Sequence, residues 1–259
     1  MPAPPPPSKT FSADALAVRV HPTSEALAAD AADAAAAVIR HALETQGSAA
    51  VILASATSQI QFLAALVVAP DLDWSRVTLF HMDEYLGVAA DHRASFRPFL
   101  REHVAAKVRP RAFHFLAGDA PEPLRECDRY ARLLRAQPVD LCCLGIGENG
   151  HVAFNDPPVA DFEDPFAVKL VKLDEACRRQ QMGEGCFTML DAVPQYGYTL
   201  TVPTLCAARR MVCVVPDRRK ARAVRDTLRG SVSPACPASV LRRQPHCTLY
   251  LDAASASEL

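Results

Sequence analysis

The longest regular pattern of apolar positions lies near the start of the chain. Between residues 25 and 44, Leu27, Ala31, Ala34, Ala35, Val38, Ile39 and Ala42 recur at three- and four-residue intervals, which puts them on one side of a helix. Thr23 or Ser24 can cap its start, and Gly47 can end it. Residues 49–54 then form a short, unbroken apolar run, the signature of a strand covered on both faces. A polar loop and a helical stretch over 60–67 follow. The same order returns with the run 77–80 before a helix near 96–104, with the run 139–144, and with the run 211–215 before a helix over 217–228. Strands alternating with helices predict an α/β fold: an open, mainly parallel sheet with helices on both faces, Rossmann-like in its architecture. Such sheets bind ligands outside the carboxyl ends of their strands. The loops after Ala54, Phe80, Leu144 and Val215 are therefore where chemistry is expected.

Length and composition narrow the picture. A chain of 259 residues with 50% hydrophobic and 22% charged residues has the balance of a folded globular protein. One domain is expected over 11–259, preceded by a proline-rich, poorly ordered tail over 1–10. The stretch 157–198, where charges and prolines interrupt the apolar residues, is expected to be a lid-like segment of that domain. The net charge is −1 and like charges form no long block, so nucleic acid is not an expected partner. The start lacks a signal-peptide pattern and no apolar run reaches the roughly 18 residues of a membrane span, so a cytoplasmic protein without a membrane partner is expected. Nine cysteines fall inside apolar runs or singly in loops, without CxxC pairs or His–Cys clusters at metal spacing. They are read as free thiols, and neither a metal nor another cofactor is expected.

The loop after Leu144 reads GIGENGHVAFNDP from Gly145 to Pro157. Its three glycines, Gly147 among them, allow a tight turn and close approach to a ligand. His151 then stands beyond the strand end, with Asn149 and Asp156 near it in sequence. It can move protons near neutral pH with a carboxylate orienting it, or it can simply satisfy backbone carbonyls. The loop after Phe80 places Asp83 and Glu84 side by side. Such a pair can act as base and supporting acid, cap the next helix or bind a metal, although no further ligand stands at a recognisable spacing. The loop of Ser55, Ala56, Thr57 and Ser58 offers hydroxyls and helix-terminal amides suited to a phosphate, or a plain helix cap. Lys220, early in the helix after the last of these strands, either adds a cation to such a site or belongs to a solvated basic face.

Taken together, MDEY (Met82 to Tyr85) and GIGENGHVAFNDP resemble the two signature segments of the glucosamine-6-phosphate deaminase family. The stretch His92-x-x-Ser95-Phe96 and the position of Lys220 are also similar to family features. The resemblance covers roughly residues 51–228. It implies that Asp83 moves a proton from C2 to C1 of an open-chain amino sugar, and that His151, supported by Asp156 and Asn149, assists ring opening. It also implies that Lys220 and the loop of Ser55, Ala56, Thr57 and Ser58 hold the 6-phosphate, with Glu84 and Gly147 in the substrate site and no metal. The substrate partner would be a small phosphorylated sugar, and the family leaves both a monomer and a homo-oligomer open. The chain departs from the family pattern at three places: SATSQ replaces a glycine-containing phosphate loop, Asn149 replaces an aspartate, and Arg178 and Arg179 are out of register with a phosphate-binding arginine. Two other readings stay open. The 6-phosphogluconolactonases share the fold and a GxGxxGH loop, and residues 199–203 (TLTVP) resemble a motif of theirs. A non-catalytic sugar-phosphate sensor is the third.

Overall fold

The structure is a computed structural model that describes residues 6–183, 185 and 187–259. Its first elements are the hairpin strands β1 (Lys9–Ala13) and β2 (Leu16–His21). Lys9 pairs with Val20 and Thr10 with Arg19, which corrects the expected tail over 1–10: its last two residues belong to a strand. Residues 1–5 of that tail lie outside the described residues. Helix α1 (Ser24–Gln46) follows, capped by the Thr23 hydroxyl on the Ala26 amide and ended by Gly47 at φ 79°, a left-handed conformation that glycine adopts without strain. The chain continues through β3 (Ala49–Leu53), α2 (Ile60–Val67), β4 (Val77–His81), β5 (Asp83–Tyr85), α3 (Phe96–Leu100), α4 (Ala106–Val108), β6 (Ala112–His114) and α5 (Pro123–Arg135). It then forms β7 (Leu141–Leu144), β8 (Val168–Lys172), α6 (Glu175–Gly183), β9 (Tyr196–Leu200), α7 (Val202–Cys206), β10 (Arg210–Val215), α8 (Ala221–Arg229) and β11 (Cys247–Asp252).

Eight strands make the main sheet in the order β1-β2-β11-β10-β7-β3-β4-β6. All its neighbours are parallel except the β1–β2 hairpin. Burial on both faces follows from side-chain alternation: Ala50 and Ile52 of β3 pack into one core with α5 and α8, while Ala49, Val51 and Leu53 pack into the other with α1 and α2. The alanines of α1, including Ala28, Ala31, Ala32 and Ala35, are buried against this second face. The expected open, mainly parallel sheet with flanking helices is therefore present. The helix expected near 96–104 is broken into α3, a π-helical turn over Arg101–Ala105 and α4.

A second, antiparallel sheet in the order β5-β9-β8 has no counterpart in the sequence reading. Residues 157–198, expected as a lid-like segment, hold β8, α6 and the first residues of β9. Tyr198 and Leu200 of β9 and Val168 of β8 join the core under the main sheet, so the small sheet is packed onto the large one. No helix of the described residues is long and apolar enough to cross a membrane.

The sheet also decides where a ligand can sit. From β3 the chain moves outward to β4 and β6, then returns to β7 on the other side of β3 and moves away through β10. This reversal between β3 and β7 opens a crevice at their carboxyl ends.

Candidate active site

A narrow cleft occupies that crevice. Ser55, Ala56, Ser58, Asp83, Gly147, His151, Gln180, Gln181 and Lys220 are among the residues that line it. Past Ser58 and Lys220 it meets a cavity of about 430 Å³, bordered also by Thr57, Arg219 and Asp217. Residues from all four strand-end loops singled out in the sequence thus meet in one place.

Asp83 arrives there because the chain leaves the main sheet after His81. The Tyr130 hydroxyl accepts from the His81 amide and donates to the His81 carbonyl, both at 2.9 Å, and His81 Nε2 accepts the Leu116 amide at 2.7 Å. Burial lowers the His81 pKa to about 3, so its ring is neutral and serves as a fixed acceptor. Beyond this anchor, β5 pairs with β9, Asp83 opposite Thr199, and successive side chains point to opposite faces. Asp83 therefore meets the cleft and Glu84 turns away from it. Glu84 was expected in the substrate site, and this is corrected. Its carboxylate accepts from Ser95 Oγ at 2.6 Å and from the Tyr85 and Phe96 amides, with Arg97 Nε at 3.3 Å. Burial raises its pKa, while the Ser95, Tyr85, Arg97 and Phe96 contacts oppose the rise. Glu84 thus acts as an anchor for the start of α3.

His151 is held from behind. Its Nδ1 lies 2.7 Å from Asn149 Oδ1 and 3.1 Å from Asp156 Oδ1, and Asn149 Nδ2 donates to that same Asp156 oxygen at 3.0 Å. The Asn149 carbonyl also accepts the His151 amide at 3.1 Å, which fixes the carboxamide with its oxygen toward the histidine. With a proton on Nδ1, the ring presents Nε2 as the acceptor. Asp156 is buried, which pushes its pKa up, but the His151 and Asn149 bonds and the Asp174 amide outweigh this and hold it below the usual carboxylate range. Asp156 and Asn149 support the ring and do not line the cleft. Gly147 is required for space: a Cβ there would lie 2.1 to 2.3 Å from His151 ring atoms. Gly150, at φ 84°, would carry a Cβ 2.9 Å from Cys236 Sγ. The TLTVP segment supports the same loop from below, Thr199 Oγ1 accepting the Phe154 amide at 3.1 Å and Thr201 capping α7.

At the other end of the cleft, Ala56 leads into a 3₁₀ turn over Thr57–Gln59 ahead of α2. Ser55 is buried, and its hydroxyl has no hydrogen-bond partner among the described residues. Gln59 ties the turn to β10 by donating to the Val214 carbonyl at 3.1 Å. Of the three cations that follow Asp217, Arg218 and Arg219 are exposed and Lys220 is buried. Asp217 stands at φ 85°, ψ 137°, a conformation costly for a residue with a side chain, and caps the turn by accepting the Arg219 amide.

Two further residues of the cleft, Gln180 and Gln181, were not singled out from the sequence. The signal for them is their place, with Cys177, on the inner face of α6, three and four residues apart. Arg178 donates instead to the Leu190 and Val193 carbonyls, and Arg179 to Glu175, which accounts for their being out of register. His151, Asp156 and Cys177 offer ligand atoms within 4.8 Å of one another. Burial raises the pKa of the Cys177 thiol, and His151 Nδ1 is engaged by Asn149 and Asp156.

The geometry supplies a carboxylate, an oriented imidazole, and a cation beside hydroxyls, the set needed to move protons on a phosphorylated carbon chain. The sequence pattern of the family described as glucosamine-6-phosphate isomerases/6-phosphogluconolactonase matches residues 22–167. A glucosamine-6-phosphate deaminase of Exiguobacterium sibiricum is 35% identical over 190 residues, 73% of each chain. The structure of a monomeric glucosamine-6-phosphate deaminase superposes with a TM-score of 0.85 at 27% identity, over 93% of this chain and 99% of that one. The 6-phosphogluconolactonase of Trypanosoma brucei gives 0.76 at 20% identity over 97% and 100%, a likeness of fold. A cleft lined by residues of both signature segments and a sequence match across most of the chain lead to one conclusion: this protein belongs to the glucosamine-6-phosphate isomerase/6-phosphogluconolactonase family.

Proposed function

We propose that this protein is an amino-sugar phosphate deaminase, converting glucosamine 6-phosphate, or a close analogue, and water to fructose 6-phosphate and ammonia. The observation that carries the reading is the meeting of Asp83 and His151 in one cleft, delivered by different strands. Asp83 removes the proton from C2 of the open-chain sugar and returns it at C1. The nitrogen is then left doubly bonded to C2, and water hydrolyses that bond to a ketone with release of ammonia. His151 exchanges a proton at the ring oxygen during opening, its Nδ1 held by Asn149 and Asp156. Lys220 and the hydroxyls of Ser55, Thr57 and Ser58 take the phosphate at the wider end. The reading carries a cytoplasmic location, in keeping with the eight described cysteines, all free. Lactone hydrolysis would use His151 to activate water and would leave Asp83 without a task.

A coupled assay for ammonia release from glucosamine 6-phosphate tests this. The wild-type protein should be active, and Asp83→Asn should lower kcat on the order of 10²-fold or more, as expected for loss of a general base. A wild-type protein that releases no ammonia from hexosamine 6-phosphates yet rapidly hydrolyses 6-phosphogluconolactone overturns the proposal.

A further inference from the structure

The inner face of α6 looks onto the cleft with neutral groups. Cys177, Gln180 and Gln181 are buried there, while the charged neighbours Arg178 and Arg179 turn to carbonyls of the following loop and to Glu175. The two glutamines have different tasks. Gln180 Oε1 accepts the Glu148 amide at 2.8 Å and so steadies the histidine loop. Gln181 is bound from the opposite side: its Oε1 accepts the Tyr85 hydroxyl at 2.7 Å. Tyr85 is itself fully buried against the rings of Phe96, Phe154 and Phe187 at centroid distances of 5.1 to 5.5 Å. With the carboxamide oxygen engaged by Tyr85, the Gln181 amino group is left for another acceptor. That nitrogen has no hydrogen-bond partner among the described residues and is not sealed from solvent, in a residue that is 8% exposed and lines the cleft with Asp83 and His151. A donor left to solvent at the wall of a cleft can be completed by a ligand acceptor that replaces the water.

We infer that Gln181 is a specificity-determining residue whose amino group donates to a hydroxyl oxygen on the carbon chain of the substrate, with Tyr85 as the positioning residue that orients it. The inference rests on the deaminase reading for the identity of the substrate. A neutral donor with a fixed direction suits an uncharged oxygen between the reacting carbons and the phosphate. The anionic pole is then assigned to Lys220 at the wider end. A substrate lacking that hydroxyl would leave the amino group unpaired and be discriminated against.

The test compares wild type, Gln181→Leu, Gln181→Glu and Tyr85→Phe. Gln181→Glu keeps an acceptor for the Tyr85 hydroxyl and removes the donor, so a purely structural role would survive it and a donor role would not. For ammonia release from glucosamine 6-phosphate, both Gln181 variants should lose about 10-fold in kcat/KM, mainly through KM, and Tyr85→Phe about 3-fold. A Tyr85→Phe/Gln181→Leu double variant should be no worse than Gln181→Leu, because both changes act through one group. Calorimetric binding of sorbitol 6-phosphate, an open-chain sugar phosphate, should weaken in parallel, while binding of inorganic phosphate stays unchanged. Kinetics and sorbitol 6-phosphate affinity within about twofold of wild type in both Gln181 variants would overturn the inference, as would an equal loss of inorganic phosphate affinity. If the wild-type protein releases no ammonia but sorbitol 6-phosphate binding still falls in both variants, the deaminase reading fails and the role of Gln181 stands.

Discussion

The two ends of the cleft are built on opposite plans. Around His151, Asn149 and Asp156 are engaged with the ring and with each other, and even the absence of a side chain at Gly147 is matched to it. At the end formed by the β3 loop and Lys220, the Ser55 hydroxyl is buried without a partner, and the space beside Thr57, Ser58 and Lys220 is wide. Under the proposed function, the difference follows from what each end would do. A group that moves a proton has to be aimed before the substrate arrives, so its hydrogen bonds belong to the protein. A group that binds an anion can leave part of its hydrogen-bonding capacity to be completed by the ligand.

This contrast can be broken at either end. The largest effect is expected from Gly147→Ala, since its Cβ would overlap the His151 ring and displace it: kcat/KM should fall by at least about 10²-fold with the fold retained by circular dichroism. A smaller and different effect is expected from Lys220→Ala. KM should rise about 10- to 100-fold, the size of a charge-assisted hydrogen bond, with kcat changed little in steady-state assays. A kcat loss with unchanged KM would place Lys220 in the proton-moving half. The smallest effect is expected from Ser55→Ala, which should raise KM about 2- to 10-fold. Its melting temperature should be unchanged or slightly higher, because the variant buries one fewer unpaired hydroxyl. A clear loss of thermal stability would show that Ser55 belongs to the scaffold.

The sequence was most legible where burial is simplest. β3, β4, β7 and β10 are covered on both faces and read as short, mostly apolar runs, and α1 carries both its period and its caps in plain view. Asp83, His151, Ser55 and Lys220 were reached from these strands because strand ends are where loops bring function. The small sheet was illegible for a matching reason. β5 has three residues and exists through its pairing with β9, more than 100 positions away, a contact that no local pattern encodes. Without β5 the alternation of Asp83 and Glu84 could not be seen, so both acids were assigned to the substrate although one of them caps α3. Gln181 was hidden likewise, since its meaning depends on Tyr85, 96 residues earlier.

The place of β11 in the sheet governs when the site can form. β2 lies parallel to β11, Val18 facing Leu249, and β11 in turn joins β10, whose end leads to Lys220. A ribosome-bound chain that has not yet released β11 has neither the parallel partner of β2 nor the cover for one edge of β10. Pairing at such sequence separation is slow, and open strand edges invite association with other chains. The crevice between β3 and β7 can form during synthesis, but its Lys220 side is completed only after β10 pairs with β11. Aggregation during expression should therefore be most acute in chains cut between β10 and β11.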